Sequence, residues 1–335
     1  MQIFITLDYE LFFLEPSEGI DDCLIHSTQR FLNILDKEKV KAVFFVDAGY
    51  LVALQRQKPL YKKLQGDYTK IVNQLLFLEA KGHEIGLHIH PHWEDSFYDG
   101  HKWIMNLNRY KLADFSKPEA EAIFKNYYNV LQPLSAKKII SYRAGGWCLE
   151  PFSHIRSAML ECGIYIDSTV YAEGYSTTAT HRYDFRNYPK KEIWKFNNEP
   201  AIEDENGIFL EVPSAAQQLS PAMYWKVMAD RLRKKDCNGQ GVKPSVKEVL
   251  KKLFLKTTDA VSIDAYKADQ LLESFKQKEK QGGKYFCITG HPKCFTERTY
   301  ENLQQFVGYA ISRGHSMCSF TERFQKGSTA IYHQL

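Results

Sequence analysis

Three histidines stand at alternate positions of the segment Leu87–Trp93: His88, His90 and His92. Imidazole is a common zinc ligand, so this density predicts a metal site rather than a chance grouping. If the chain stays extended, all three side chains point to one face. If it turns after a strand, His88 and His92 converge and His90 diverges. Because Pro91 disfavours helical backbone at the preceding residue, we favour a loop pair of His88 and His92.

Residues able to transfer protons or hold anions follow four other short apolar segments. Asp8 and Glu10 come after the first, and Arg143, Asp167 and His291 come after later ones. In folds built of β–α units, functional residues collect at the C-terminal ends of strands, where the loops face one crevice. We therefore predict that these residues share one site with the histidines. A carboxylate would complete a two-histidine, one-carboxylate set with positions left open for water and substrate.

The elements that must position these residues alternate in character along the chain. The short apolar segments are Gln2–Leu7, Val40–Val46, His83–His88, Lys138–Tyr142, Gly163–Ile166, Gly207–Val212 and Tyr285–Thr289. Helix-period segments between them include Ser27–Asp36, Thr69–Lys81, Pro118–Leu131 and Glu150–Glu161. This alternation predicts an α/β fold with a parallel sheet, open or closed into a barrel. Gly82 and Gly163 each stand where a helix should end.

The segment Ser220–Gln281 breaks this alternation. It is rich in lysine, has no good strand, and is typical of two or three helices with a turn at Gly239 and Gly241. Because the strand-like Tyr285–Thr289 resumes directly afterwards, we interpret residues 220–281 as a helical insertion into one domain that spans residues 1–335. Just before it, we interpret Glu211 as a solvated strand residue.

Composition narrows the function classes. The 335 residues include 44 Lys and Arg and 40 Asp and Glu, and the net charge of +4 is too weak to predict a nucleic-acid or membrane-surface partner. No apolar stretch is long enough to span a membrane. The N-terminus lacks the pattern of a secretory leader, and the seven dispersed cysteines contain no Cys-x-x-Cys pair. These features predict a cytoplasmic protein with reduced thiols.

The ordered motifs resemble the polysaccharide deacetylases (carbohydrate esterase family 4), and the resemblance spans Thr6 to His291. Its most specific part is the segment Glu84–His92. The motifs are Thr6-Leu7-Asp8, Glu84-Ile85-Gly86-Leu87-His88-Ile89-His90-Pro91-His92, Arg143-Ala144-Gly145-Gly146, the strand-terminal Asp167, and Gly290-His291-Pro292.

The resemblance implies an irregular, seven-stranded, TIM-like (β/α) barrel and a metal-dependent hydrolase that removes acetyl groups from acetylated sugars. It implies a divalent metal ion, with zinc as our expectation, and an acetylated carbohydrate as the partner. It also assigns roles to six residues. Asp8 matches the general base, His88 and His92 the metal-binding imidazoles, Arg143 the arginine that holds the base, Asp167 the acid that orients the catalytic histidine, and His291 that histidine, the general acid.

Two departures from the family pattern affect these roles. The first motif usually has two adjacent aspartates, of which the second binds metal, whereas Tyr9 stands here. Glu10 can replace that aspartate, because Asp8 and Glu10 share a face of an extended chain. Alternatively, Asp8 binds the metal and Glu10 is the base, or metal binding is weakened or lost. The third motif has Ala144–Gly146 where prolines are common, which keeps the arginine but loses rigidity.

We therefore expect a carbohydrate deacetylase. Because no leader is evident, we expect its substrate to be an intermediate of surface polysaccharide biosynthesis. The main alternative is a non-catalytic carbohydrate-binding or assembly protein on the same scaffold. A further alternative is a different barrel hydrolase that binds its metal through His88 and His90.

Overall fold

The computed structural model describes residues 1–13, 19–232, 250 and 252–324. Its strands are β1 (Gln2–Tyr9), β2 (Val43–Asp47), β3 (Glu84–Ile89), β4 (Phe97–Tyr98), β5 (Trp103–Ile104), β6 (Ser141–Ala144), β7 (Ile166–Asp167), β8 (Tyr175–Thr177), β9 (Arg182–Asp184), β10 (Trp194–Phe196), β11 (Phe209–Glu211), β12 (Ala216–Leu219), β13 (Thr257–Ala260), β14 (Tyr285–Ile288) and β15 (Ser316–Met317). Its α-helices are α1 (Ser27–Lys37), α2 (Ala48–Gln57), α3 (Lys62–Ala80), α4 (Lys117–Leu131), α5 (Arg156–Cys162), α6 (Pro221–Leu232), α7 (Leu271–Lys280), α8 (Glu297–Ser312) and α9 (Phe320–Phe324).

One sheet carries the site. Its strand order is β10-β11-β7-β6-β3-β2-β1-β14, and β15 also pairs with β1. The neighbours are parallel except β10 and β11. Helices lie between β1 and β2, β2 and β3, β3 and β6, and β6 and β7, whereas the connection from β7 to its parallel neighbour β11 runs through β8, β9 and β10. The predicted α/β fold is confirmed, although this sheet has nine described strands rather than seven.

Alternation along β1 gives the sheet two different faces. Ile3, Ile5 and Leu7 belong to the large apolar cluster that includes residues of the covering helices. Phe4 belongs to a second cluster, with Val43 and Phe45 of β2, Ile166 of β7 and Phe320 of α9. The polar residues that follow Phe4 at every second position of β1 are Thr6 and Asp8; both accept hydrogen bonds from Arg143, and Asp8 lines the candidate site.

The sheet curls into an incomplete barrel, and its two end strands, β10 and β14, are bridged indirectly. The Glu192 carboxylate, two residues before β10, accepts hydrogen bonds from the backbone N–H groups of Lys284 and Tyr285 (2.9 and 3.0 Å). The Ala215 N–H donates to the Cys287 carbonyl at 2.7 Å, and the Val261 N–H donates to the Ala215 carbonyl at 2.7 Å. The seam, which is the gap between β10 and β14, is therefore lined by two segments that are distant in the sequence, one at Ala215 and one at Val261.

The predicted insertion is only partly helical where the structure describes it. It contains α6 and α7, but it also contains β13, which pairs with β12 as an antiparallel two-stranded sheet. The absence of a strand was therefore a wrong prediction, because β13 is short and lies within a lysine-rich sequence. The predicted turn at Gly239 and Gly241 lies outside the described residues, and the assignment of residues 1–335 to one domain stays a prediction. Among the described helices, none is long and apolar enough to cross a membrane.

Replacing two glycines by alanine tests the assigned helices, because the two substitutions should change the free energy of unfolding in opposite directions. Gly163 ends α5 with a φ of +71°, and an added Cβ would also meet the Lys138 side chain. Gly163→Ala should therefore lower the free energy of unfolding by about 1 kcal/mol. Gly308 lies within α8, where an added Cβ has open space, so Gly308→Ala should raise it by about 0.5–1 kcal/mol. Urea denaturation of both variants checks the pair, and equal signs would contradict these boundaries.

Candidate active site

A cavity of about 320 Å³ opens at the C-terminal ends of the parallel strands. It is lined by ionisable groups and by aromatic rings. The ionisable residues include Asp8, Glu10, His90, His181, Asp264, Lys267, His291 and Lys293, and the aromatic residues are Phe12, Phe13, Tyr110, Trp147 and Tyr266. The chain thus gathers acids, imidazoles and ammonium groups from distant parts of the sequence into one place.

Glu10, His88 and His90 form a group of potential metal ligands whose donor atoms all lie within 4.8 Å of one another. Glu10 Oε2 is 2.6 Å from His90 Nε2 and 3.4 Å from His88 Nε2. All three atoms are buried, and the contacts between them lack hydrogen-bond geometry, so none of the three has a hydrogen-bond partner. His88 Nδ1 donates to the Arg143 carbonyl at 2.9 Å, which directs the lone pair of Nε2 toward the group. Buried ligand atoms that converge in this way without hydrogen-bond partners suit a divalent cation.

Asp8 is held by a fully buried arginine. Arg143 Nη1 donates to Asp8 Oδ1 at 2.7 Å, and both side chains are buried. Burial alone would raise the pKa of Asp8, but Arg143, together with His88 and His291, outweighs it and holds the pKa below its usual value. Asp8 is therefore a carboxylate at neutral pH. Its second oxygen, Oδ2, lies 3.5 Å from His291 Nε2.

His291 is oriented by Asp264. Its Nδ1 donates to Asp264 Oδ2 at 2.7 Å, and its backbone N–H donates to Asp264 Oδ1 at the same distance. Burial would lower the pKa of His291, but Asp264, with help from Asp8 and Glu10, outweighs this effect and raises it. The opposite ring nitrogen, Nε2, is thereby directed at the two acids on β1 and just beyond it.

The pKa values of Glu10, His88 and His90 are shifted in different directions. Burial would raise the pKa of Glu10, but Lys293 and His90 outweigh it and hold the pKa well below its usual range. Burial lowers the pKa of His90 to about 4, so its imidazole is neutral at pH 7, the form that binds metals. Burial would also lower the pKa of His88, yet Asp8 and Glu10 raise it overall.

Comparison with known proteins identifies the fold. No family model matches the chain, and no curated protein matches it. A solved structure of a candidate polysaccharide deacetylase from Mycobacterium smegmatis superposes with a TM-score of 0.54 at 15% identity, covering 97% of this chain and 91% of that one.

The chain has the polysaccharide deacetylase fold.

Two other solved structures match less well. An allantoinase has a TM-score of 0.49 at 14% identity, with coverage of 96% of this chain and 88% of that one. A peptidoglycan N-acetylglucosamine deacetylase has a TM-score of 0.45 at 11% identity, with coverage of 97% and 88%.

Within this deacetylase fold, His90 stands in the ligand group and His92 stands outside it, contrary to the loop pair that we favoured. The chain remains extended through His90 (φ −112°, ψ 98°), so His88 and His90 point to the same face. Pro91 then begins a 3-10 turn that contains His92. The His92 ring lies beside that of His90, with ring centroids 5.4 Å apart, and stacks on Tyr110 at 5.6 Å, but its nitrogens are not part of the ligand group.

Tyr9 and Glu10 show how the deacetylase fold accommodates the altered first motif. The Tyr9 hydroxyl points away from the cavity and donates to Gln74 Oε1 of α3 at 2.6 Å. Asp8 and Glu10, on either side of it, both line the cavity. The structure therefore places the second acid of this motif one residue later than the family pattern does.

Asp167 has other partners than His291. Its carboxylate accepts hydrogen bonds from the Thr169 hydroxyl (2.8 Å) and N–H (3.2 Å), and it faces Glu211 of the neighbouring strand β11. Asp264, which we did not predict, is the acid at His291. Glu211 is fully buried rather than solvated. Burial and the proximity of Asp167 raise the pKa of Glu211 well above its usual value, and burial also raises that of Asp167.

The histidine geometry makes a direct prediction about metal content. His88→Ala and His90→Ala should each weaken zinc binding by more than about tenfold, since even the loss of an outer partner of a metal ligand has that effect. His92→Ala, an equally buried control, should retain zinc. Metal analysis after dialysis at fixed free zinc measures all three variants. Zinc loss in His92→Ala, with retention in His90→Ala, would restore the pair that the sequence favoured.

The Asp167–Glu211 pair predicts a pH-dependent stability. A carboxyl group with a raised pKa in the folded state destabilises the fold as the pH rises from its unfolded pKa, near 4, toward its folded pKa, by up to about 1.4 kcal/mol per pH unit for each group. Glu211→Gln removes one of these groups, so this variant should lose less stability than the wild type between pH 5 and pH 8.

Thermal or urea unfolding at the two pH values measures the difference. Glu205→Gln, at an exposed turn position, is the matched control and should behave as the wild type. If Glu211→Gln lost as much stability as the wild type over this range, the pKa of Glu211 would not be raised in the folded protein.

Proposed function

We propose that this protein is a metal-dependent hydrolase that removes acetyl groups from an acetylated sugar. The observation that carries the proposal is the convergence, in one cavity, of three unpartnered metal-ligand atoms with an arginine-held acid and an acid-held histidine. Hydrolysis of an acetyl ester or amide needs these parts: an electrophilic centre, a base for water and an acid for the leaving group.

Glu10, His88 and His90 are the residues that would hold the metal, and their one-carboxylate, two-imidazole set suits zinc. Such an ion, when bound, polarises the acyl oxygen and lowers the pKa of a coordinated water. The side chains of this protein carry out the proton transfers. We propose zinc as the metal.

Asp8 is the general base in this proposal. It is ionised because Arg143 stabilises its charge, and its free oxygen faces the cavity, so it can accept a proton from the attacking water. The salt bridge also fixes its direction. A mobile carboxylate would lose the orientation that proton transfer in the transition state requires.

His291 is the general acid in this proposal. Its raised pKa keeps a larger share of the imidazole protonated near neutral pH, and Nε2 faces the cavity, where it can give a proton to the departing amine or alkoxide. Asp264 fixes the tautomer and stabilises the imidazolium. The orienting role that the resemblance assigned to Asp167 therefore belongs, in this proposal, to Asp264.

The cavity supports a sugar as the substrate. Phe13, Tyr110, Trp147 and Tyr266 contribute aromatic surface to its wall. Aromatic faces suit the apolar faces of sugar rings. The structure from Mycobacterium smegmatis that shares this fold is described as a candidate polysaccharide deacetylase, which supports a carbohydrate substrate. The cytoplasmic location and the place in surface polysaccharide biosynthesis stay predictions.

Activity on acetylated oligosaccharides tests the proposal. Asp8→Asn should lower acetate release by about 10²–10⁴-fold, the usual contribution of a general base. Asp99→Asn, in an exposed loop, is the control and should be as active as the wild type. Circular dichroism shows whether Asp8→Asn is folded. A protein that binds the oligosaccharide but releases no acetate in any metal-loaded form would instead be the non-catalytic carbohydrate-binding protein.

Asp264→Asn provides a second test through the pH profile. The general acid must be protonated, so activity falls as the pH rises through the pKa of His291. Asn keeps a hydrogen-bond acceptor but removes the charge that raises this pKa. The alkaline limb of the profile of kcat/KM should therefore move to lower pH in the variant. An unmoved limb would mean that His291 is not the group that titrates there.

A further inference from the structure

Lys293 lies in the wall of the candidate site, two residues after His291. Its side chain is 9% exposed and its partner Glu10 is 6% exposed. The ammonium donates to Glu10 Oε1 at 2.9 Å and to the Leu11 carbonyl at 2.8 Å. The rings of Phe12 and Phe13 lie beside it, with centroids 5.3 and 4.6 Å from Nζ.

These contacts divide the two oxygens of the Glu10 carboxylate between different partners. Oε1 accepts the hydrogen bond from Lys293, whereas Oε2 has no hydrogen-bond partner and faces the Nε2 atoms of His88 and His90. A carboxylate in a roomy site could turn both oxygens toward a cation. Here one of them is already engaged, by a cation that is itself fixed to the backbone next to Glu10.

We propose that Lys293 is a positioning residue that holds one oxygen of Glu10 and so presents the other as a single ligand to a metal ion. The inference rests on the proposed function only for the existence of the metal site. It gives Lys293 a task that depends on its shape as well as its charge. An ammonium is a compact point charge, which can occupy one carboxylate oxygen and leave the other open.

This dependence on shape separates positioning from simple charge balance. Arginine keeps the positive charge, but its planar fork engages both oxygens of a carboxylate. In Lys293→Arg, the guanidinium should therefore draw Oε2 away from the two imidazoles. If Lys293 merely neutralised Glu10, arginine would serve equally well.

The test titrates zinc into metal-free protein by calorimetry. We expect one site in the wild type and binding weaker by at least about tenfold in Lys293→Arg, the size of effect seen when the support of a metal ligand is lost. Lys267→Arg is the matched control, because Lys267 lines the same cavity and pairs with Asp259 (2.7 Å) rather than with Glu10. It should bind zinc as the wild type does. Wild-type affinity in Lys293→Arg would overturn the inference, as would a wild type that binds no zinc.

A second variant keeps the test decisive if Lys293→Arg does not fold. In Lys293→Met, Glu10 can offer both oxygens, so a bound Co²⁺ ion should gain a ligand and its visible absorption should weaken. Identical cobalt spectra for this variant and the wild type would overturn the inference. Acetate release measured on the same samples separates the two proposals. If the spectrum changes in Lys293→Met but the wild type releases no acetate, the inference about Lys293 stands and the proposed enzyme activity is rejected. If the wild type releases acetate but the variants bind metal as the wild type does, the activity stands and the inference is rejected.

Discussion

The rest of the structure depends on one buried cation, the Arg143 guanidinium, which is 1% exposed. Its five N–H groups find acceptors on three separate parts of the barrel. They donate to the Thr6 hydroxyl and the Asp8 carboxylate on β1, to the Ser168 carbonyl and hydroxyl after β7, and to the Thr289 hydroxyl after β14. A buried guanidinium is tolerable only when its charge and its donors are matched in this way.

The same arrangement explains why two acids can remain ionised a short distance apart in a buried cavity. Asp8 and Glu10 repel each other, and burial opposes the charge of both. Each has a cation of its own: Arg143 lies beneath Asp8, and Lys293 lies beside Glu10. Two similar carboxylates thus acquire different environments, one joined to a rigid interior and one facing a pair of imidazoles. Different tasks follow from different partners rather than from different residue types.

Much of the fold could be predicted from the sequence, because parallel strands buried on both faces leave apolar segments and the helices between them leave a 3.6-residue period. The polar residues that follow those segments include Asp8, Glu10, His88, Arg143 and His291, which the structure brings together at the candidate site. The sequence favoured His92 over His90, whereas the structure brings His90 to Glu10 and His88, because the sequence does not show where the extended backbone ends. The preference rested on a turn directly after His88, whereas the turn begins at Pro91.

Asp264 was missed for another reason. It follows the apolar segment Ala260–Ile263, which has the same pattern as the segments that were recognised. That segment is embedded in a lysine-rich sequence whose overall composition is typical of helices, and composition outweighed the local pattern. Asp167 had the right position at a strand end, but the sequence cannot show that its neighbour across the sheet is another buried acid, Glu211.

The bridging of the seam between β10 and β14 has a consequence for how this chain can be altered. The Val261–Ile263 backbone bonds to Ala215 and Thr289 and, one residue later, supplies the carboxylate that holds His291. The C-terminal part of the region 220–281 therefore forms part of the barrel wall. A shortened protein that joined residue 219 directly to residue 282 would lose both a piece of that wall and the partner of a central histidine. A deletion could spare the barrel only if it ended before β13, so the part of this region that can be removed is smaller than its sequence suggests.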